Sequence, residues 1–157
     1  MNREDFSKIL NDAISAAADS HSHETIKLNY EKTIISILGQ FQLLEFAIKR
    51  YIYIFCKNNE NQECSNCSEE ELDDLALGIL IKRYRRVTKN NDFADRIKSL
   101  VDLRNEIAHK SLYKIFGRVP FEKTEYFNLT IHYKTVQLEI TSILQIVKNE
   151  IQEINQH

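Results

Sequence analysis

At 157 residues the chain is one domain's length, large enough to bury a core without disulfides or a structural metal. Three glycines and one proline are few for a chain with 43% hydrophobic and 28% charged residues, and this excludes most all-β folds, which need a strong turn residue roughly every 8 to 12 positions. A formal charge of -2 excludes a global electrostatic pull toward nucleic acid, so any such affinity has to be local.

With only Gly39, Gly78, Gly117 and Pro120 as punctuation, the pattern predicts an all-α, antiparallel up-down bundle of about five helices. A single domain over 1–157 is expected, with its core at 25–155. Met1-Asn2-Arg3-Glu4-Asp5 is charged and leads into no apolar run, so no secretory signal is expected. No stretch approaches the roughly 18 uninterrupted apolar residues of a membrane span. Three cysteines, an odd number, fit a reducing compartment better than a disulfide framework, and a cytoplasmic location is the expectation.

Phe6, Ile9, Leu10, Ala13, Ile14 and Ala17 recur at helical spacing and predict a short amphipathic helix over 3–19. His21-Ser22-His23 follows in a polar break and reads as loop rather than as metal ligands. A helix of about 50 Å then runs over 25–56, with Tyr30, Ile34, Ile37, Phe41, Leu44, Ile48 and Ile52 among its stripe. Glu45 sits beside that apolar arc, where a carboxylate needs a partner, and Arg104 is the candidate cation.

Residues 57–67 are polar and asparagine-rich, a loop containing Cys64-Ser65-Asn66-Cys67. One such pair, with Cys56 upstream, falls short of the four ligands of a zinc site and reads as surface thiols. Ser68-Glu69-Glu70-Glu71 is a capping box opening the next helix, whose buried side is expected at Leu72, Leu75, Ala76, Ile79 and Leu80. That helix ends in Lys82-Arg83-Tyr84-Arg85-Arg86, followed by Lys89. Lys82, Arg83, Arg85 and Arg86 suit either the negative end of the helix dipole or an RNA backbone, and Tyr84 a base.

Asn90-Asn91-Asp92 is a turn and N-cap for a helix marked by Phe93, Ile97, Leu100, Val101 and Leu103. Residues 114–120 form the last clear loop, and a final long helix starts at 121 or 122 and runs to 154.

Between these lies Leu103-Arg104-Asn105-Glu106-Ile107-Ala108-His109-Lys110, which places a permanent cation, an amide and a titratable imidazole in one short helical stretch. At about 100° per residue Asn105 and His109 share a face, while Arg104 and His109 are about 140° apart. Convergence therefore requires a helix end near Ala108 or a second copy of the stretch. The plain structural alternative is an arginine and a histidine capping a helix C-terminus.

The stretch resembles the signature of the HEPN family, in which an arginine, an immediately following polar residue and a histidine beyond a short spacer occupy the places of Arg104, Asn105 and His109. The spacer here, 105–108, is the shortest the signature allows. The helical setting and the long helix that follows extend the resemblance over most of 25–155. It implies a metal-independent endoribonuclease without cofactor, acting as a homodimer whose motifs meet in a shared cleft. Toxin or anti-phage defence settings, with an antitoxin or regulatory protein as partner, are part of the same implication.

In that chemistry the RNA 2'-hydroxyl is the nucleophile, His109 moves the proton, Arg104 stabilises phosphate charge and Asn105 orients the imidazole or the phosphate. The products are a 2',3'-cyclic phosphate and a 5'-hydroxyl. Family members paired with nucleotidyltransferase antitoxins often carry a tyrosine two residues after the histidine; this chain has Ser111 there, and its nearest tyrosine is Tyr113. The alternative from a different class is a non-catalytic helical module that binds a nucleotide or a protein.

Overall fold

A computed structural model of the chain describes residues 3–59, 68–88, 90–117, 120 and 122–156. Among the described residues the structure is all-α, with no strand. The elements are α1 (Arg3–Asp19), α2 (His23–Asn58), α3 (Glu69–Asp73), α4 (Leu77–Val87), α5 (Asn91–Glu106), a π-helical turn (Ile107–Ser111), α6 (Leu112–Ile115) and α7 (Lys123–Ile154). The two long helices match their predicted extents to within about two residues at each end. Among the described residues, no helix is long and apolar enough to cross a membrane.

The chain divides into two compact units, 1–38 with 107–137 and 39–106 with 138–157, so α2 and α7 each contribute to both. In the first unit the stripe Ile26, Tyr30, Ile34 and Ile37 of α2 is buried, as are Tyr126, Tyr133 and Val136 of α7. Each such side chain contributes roughly 1.5–3 kcal/mol by leaving water. Tyr30 meets Tyr126 edge-on with ring centroids 4.6 Å apart, and Gln137 Nε2 donates to Ser36 Oγ at 2.7 Å.

The histidine-bearing break is explained by two caps. His21 Nδ1 lies 2.8 Å from the Ala17 carbonyl, closing α1, and Ser22 Oγ accepts from the Thr25 amide at 3.1 Å, opening α2.

In the second unit α4 packs on α5. Leu77, Leu80, Ile81 and Tyr84 of α4 are buried at i, i+3, i+4 and i+7, and so are Phe93, Ile97 and Leu100 of α5. Tyr84 sits edge-on to both Tyr51 and Phe93, with centroids at 4.9 and 6.3 Å. The C-terminus of α7 is tied to α2 by Asn58 Nδ2, which donates to the Ile154 carbonyl at 3.0 Å.

Three expectations are corrected in this unit. The N-cap half of the capping box is present, with Ser68 Oγ accepting from the Glu71 amide at 3.2 Å, but it opens only a five-residue helix. The helix breaks at 74–76, directly after Asp73, whose carbonyl accepts from Lys49 Nζ at 3.0 Å, and α4 restarts in a different phase. Leu77 and Ile81 therefore take the buried places expected for Ala76 and Ile79, and Ile79 is exposed. Cys56 is also not a free thiol: it is buried near the end of α2 and disulfide-bonded, with its partner outside the described residues. The pair Cys64 and Cys67 likewise lies outside the described residues.

Candidate functional site

Helix α5 delivers the first two motif residues. Asn90 Oδ1 accepts from the Phe93 amide at 3.1 Å, an N-cap that fixes where α5 starts and hence its phase. From that start Phe93, Ile97 and Leu100 face the core, and Arg104, four residues beyond Leu100, falls on the same stripe. Arg104 as a residue is half-buried while Asn105, one step round, is exposed. Arg104 Nη1 donates to Asn105 Oδ1 at 3.2 Å, which joins the first two motif side chains.

Glu45, the candidate partner of Arg104, instead meets Lys49 one helical turn along α2 at 3.1 Å.

His109 stands elsewhere in the scheme. It belongs to the first unit, whereas Arg104 and Asn105 belong to the second. Of the two routes to convergence, a helix end near Ala108 is not the one the chain takes. It continues through the π-helical turn 107–111 into α6. A π turn bonds i→i+5 and holds more residues than an α turn, so the 140° offset of a regular α-helix does not apply to His109. π turns are rare and concentrate at functional sites, and here one coincides with the motif histidine.

Within that turn Ile107 and Ser111 are buried, and His109 and Lys110 are exposed. Ser111 is fully buried, which removes its hydroxyl from any incoming group. Among the described residues, its Oγ and the Tyr30 hydroxyl have no partner of acceptable hydrogen-bond geometry, although the serine lies close enough to pull the tyrosine's pKa down. Desolvation is the larger effect and pushes Tyr30 up to about 12.

Beyond the turn, Tyr113 and Phe116 are 52% and 75% exposed. Gly117, at φ 70, ends the run in the left-handed region and donates its amide to the Lys114 carbonyl at 3.1 Å. Lys114 itself is ion-paired with Glu125, and its ammonium lies 5.2 Å from the centroid of the Tyr126 ring. The sequence pattern at 114–120 reads as plain loop, whereas Lys114 and Ile115 belong to α6.

The basic cluster on α4 separates into different environments. Lys82 and Arg86 are exposed, Arg83 is half-buried, and Arg85 Nη1 is engaged by Asp95 at 3.0 Å. Tyr84, expected to meet a base, is instead fully buried, because it occupies the i+7 place of the α4 stripe. Its hydroxyl donates to Glu150 Oε2 at 2.6 Å, and burial followed by that carboxylate raises its pKa well above the usual phenol value. Lys89 lies outside the described residues.

No protein-family model, curated protein or solved structure matches the chain.

Proposed function

We propose that the chain is a metal-independent endoribonuclease of HEPN type, working as a homodimer in the cytoplasm with Arg104, Asn105 and His109 as its catalytic residues. The observation that carries the reading is the polar set itself, a half-buried arginine bonded to an exposed asparagine, followed by an exposed histidine on a π turn. Spending a half-buried position of the α5 stripe on a guanidinium disfavours packing alone as its purpose.

The chemistry follows from what each group offers. An imidazole takes the proton from the 2'-hydroxyl as that oxygen attacks phosphorus, and the 5'-oxygen leaves with a returned proton. The Arg104 fork stabilises charge on the non-bridging oxygens. Because Asn105 Oδ1 is turned to Arg104, its Nδ2 is the end of the amide that donates to phosphate. A second copy of His109 supplies the acid opposite the base, which is the chemical reason for a dimer. Leu43 and Phe46, three apart on α2 and 58% and 68% exposed, offer apolar surface for such a partner. Lys82 and Arg86 are the members of the α4 cluster best placed by exposure to meet RNA backbone. A toxin or anti-phage defence role, with an antitoxin or regulatory protein, belongs to the same proposal.

The test is incubation of the purified chain with single-stranded RNA in EDTA, beside Arg104→Ala and His109→Ala. Cleavage to 2',3'-cyclic phosphate ends, lost in both variants and indifferent to chelator, is the expected result. Cleavage that survives both substitutions, or that the chelator abolishes, overturns the mechanism. Binding of a nucleotide or protein without any cleavage moves the chain to the non-catalytic reading. The dimer is checked by sedimentation, with a mass twice 18.5 kDa expected.

A further inference from the structure

We infer that Tyr30 and Ser111 are positioning residues for His109: their adjacent buried hydroxyls hold the stretch 107–111 in its π form and so set the direction of the imidazole. The inference rests on the ribonuclease reading of His109 and adds to it two residues that touch no substrate. All of the residues involved belong to the first unit.

A serine is an unexpected choice for its place in the turn. Ile107 and Ser111, the first and last residues of the π turn, are both fully buried, and His109 between them is exposed. Buried hydroxyls are ordinarily hydrogen-bonded. Four polar side chains are buried among the described residues, and three of them are satisfied. Thr33 and Thr130 donate to carbonyls one helical turn back at 2.8 and 2.7 Å, and Thr88 accepts from the Asn90 amide at 3.1 Å. Ser111 is the exception. In a regular α-helix its hydroxyl has the Ile107 carbonyl to bond, as the two threonines bond theirs, and the π turn forgoes that bond.

Tyr30 is the counterpart. It is fully buried, and its hydroxyl too is unpaired among the described residues. Its ring centroid lies 4.6 Å from that of Tyr126, whose hydroxyl donates at 3.4 Å to the carbonyl of Lys114, three residues past Ser111. The Tyr30 side chain therefore comes up against the end of the turn. Burial pushes its phenol up to about 12, and against that the Ser111 side chain draws it down, so the serine acts on the tyrosine directly. An orphaned buried hydroxyl carries its full desolvation penalty. An α turn returns Ser111 to its own helix and strands Tyr30, whereas the π turn keeps the two hydroxyls together.

The direction of His109 depends on that choice. An α turn advances about 100° per residue and a π turn less, so relaxing 107–111 to the α form swings the imidazole about the helix axis. Catalysis tolerates little of this, since a misplacement of roughly 1 Å can cost about 100-fold.

The test uses the full chain with Tyr30→Phe and Ser111→Ala, each of which removes one oxygen; circular dichroism confirms folding. In RNA cleavage kcat is expected to fall about tenfold to a hundredfold in each, with KM within about twofold. The carbon resonances of the His109 ring, assigned against His109→Ala, are expected to move in both. The double variant strips both hydroxyls and leaves neither orphaned, so its thermal midpoint should recover toward that of the unsubstituted chain while kcat and the ring resonances do not. Unmoved His109 resonances in the single variants, an unchanged kcat in a chain that cleaves, or a kcat that recovers with the midpoint in the double variant overturns the inference. Absence of cleavage by the unsubstituted chain sinks the ribonuclease reading by itself, and the resonances then decide alone whether the hydroxyl pair sets the turn.

Discussion

Arg104 Nη1 donates to Asn105 Oδ1 at 3.2 Å, a bond between adjacent residues whose side chains leave a helix about 100° apart. The guanidinium thus curls toward the amide, and the two residues act as one unit. Removing it as Arg104→Ala should slow RNA cleavage by about 100- to 1,000-fold, the usual effect of losing a donor aimed at developing charge. Arg104→Lys keeps the charge but not the planar fork and should still lose about tenfold. Asn105→Asp should be slower than Asn105→Ala, because a carboxylate at Oδ1 would hold the guanidinium and repel phosphate. Single-turnover rates decide the order, and an Asn105→Asp variant at least as fast as Asn105→Ala would show that the coupling plays no part.

A second bond lies in the core of the other polar cluster. Tyr84 is fully buried and its hydroxyl reaches Glu150 at 2.6 Å. Tyr84→Phe keeps the ring contacts with Tyr51 and Phe93 but strips the half-buried carboxylate of its donor. Urea unfolding should show a loss of about 1–2 kcal/mol with an unchanged slope. RNA affinity should not change, since the ring is out of reach of any base.

Burial also sets the alkaline limit of stability. Desolvation pushes both Tyr30 and Tyr51 up to about 12, from an ordinary phenol value of 10.0. Below pH 10 both folded and unfolded chains keep these protons, and the stabilisation is fully present. As pH rises from 10 to 12 the unfolded chain releases protons that the folded chain retains, so stability falls by about 1.4 kcal/mol per pH unit for each tyrosine. Denaturant midpoints measured between pH 9 and 12 should decline across that window. A midpoint that is flat to pH 12 would contradict the burial assigned to these rings.

What the sequence could and could not reveal follows from the range of each force. The helices α1, α2, α5 and α7 were legible because their apolar spacing is local, and so were the caps at Ser68 and Asn90. The break at 74–76 was not, because either phase of the stretch from Leu72 to Ile81 gives an acceptable stripe and only packing against α5 selects one. Tyr84 was misread for a related reason: four flanking cations suggest solvent, yet its i+7 relation to Leu77 puts it in the core. In the site itself, residue identities pointed to Arg104, Asn105 and His109, but the π turn carries no local signature. A change from i→i+4 to i→i+5 bonding is decided by what the helix packs on, and no spacing rule applied to 107–111 anticipates it.

The disulfide at Cys56 gives a last prediction, since an odd cysteine count had argued for reduced thiols. Reduction or Cys56→Ser should lower stability, with a closed loop typically contributing about 2–4 kcal/mol. Two local contacts oppose full loss: the side chain stays buried as a small hydrophobe, and Asn58 holds the end of α2 to the Ile154 carbonyl. Fraying should therefore concentrate in the last turn of α2. Hydrogen exchange with and without a phosphine reductant should show faster exchange at 55–58 and little change at 41–48, together with a lower thermal midpoint. An unchanged midpoint and unchanged exchange would mean that the bond adds nothing to a helix end already fixed by Asn58.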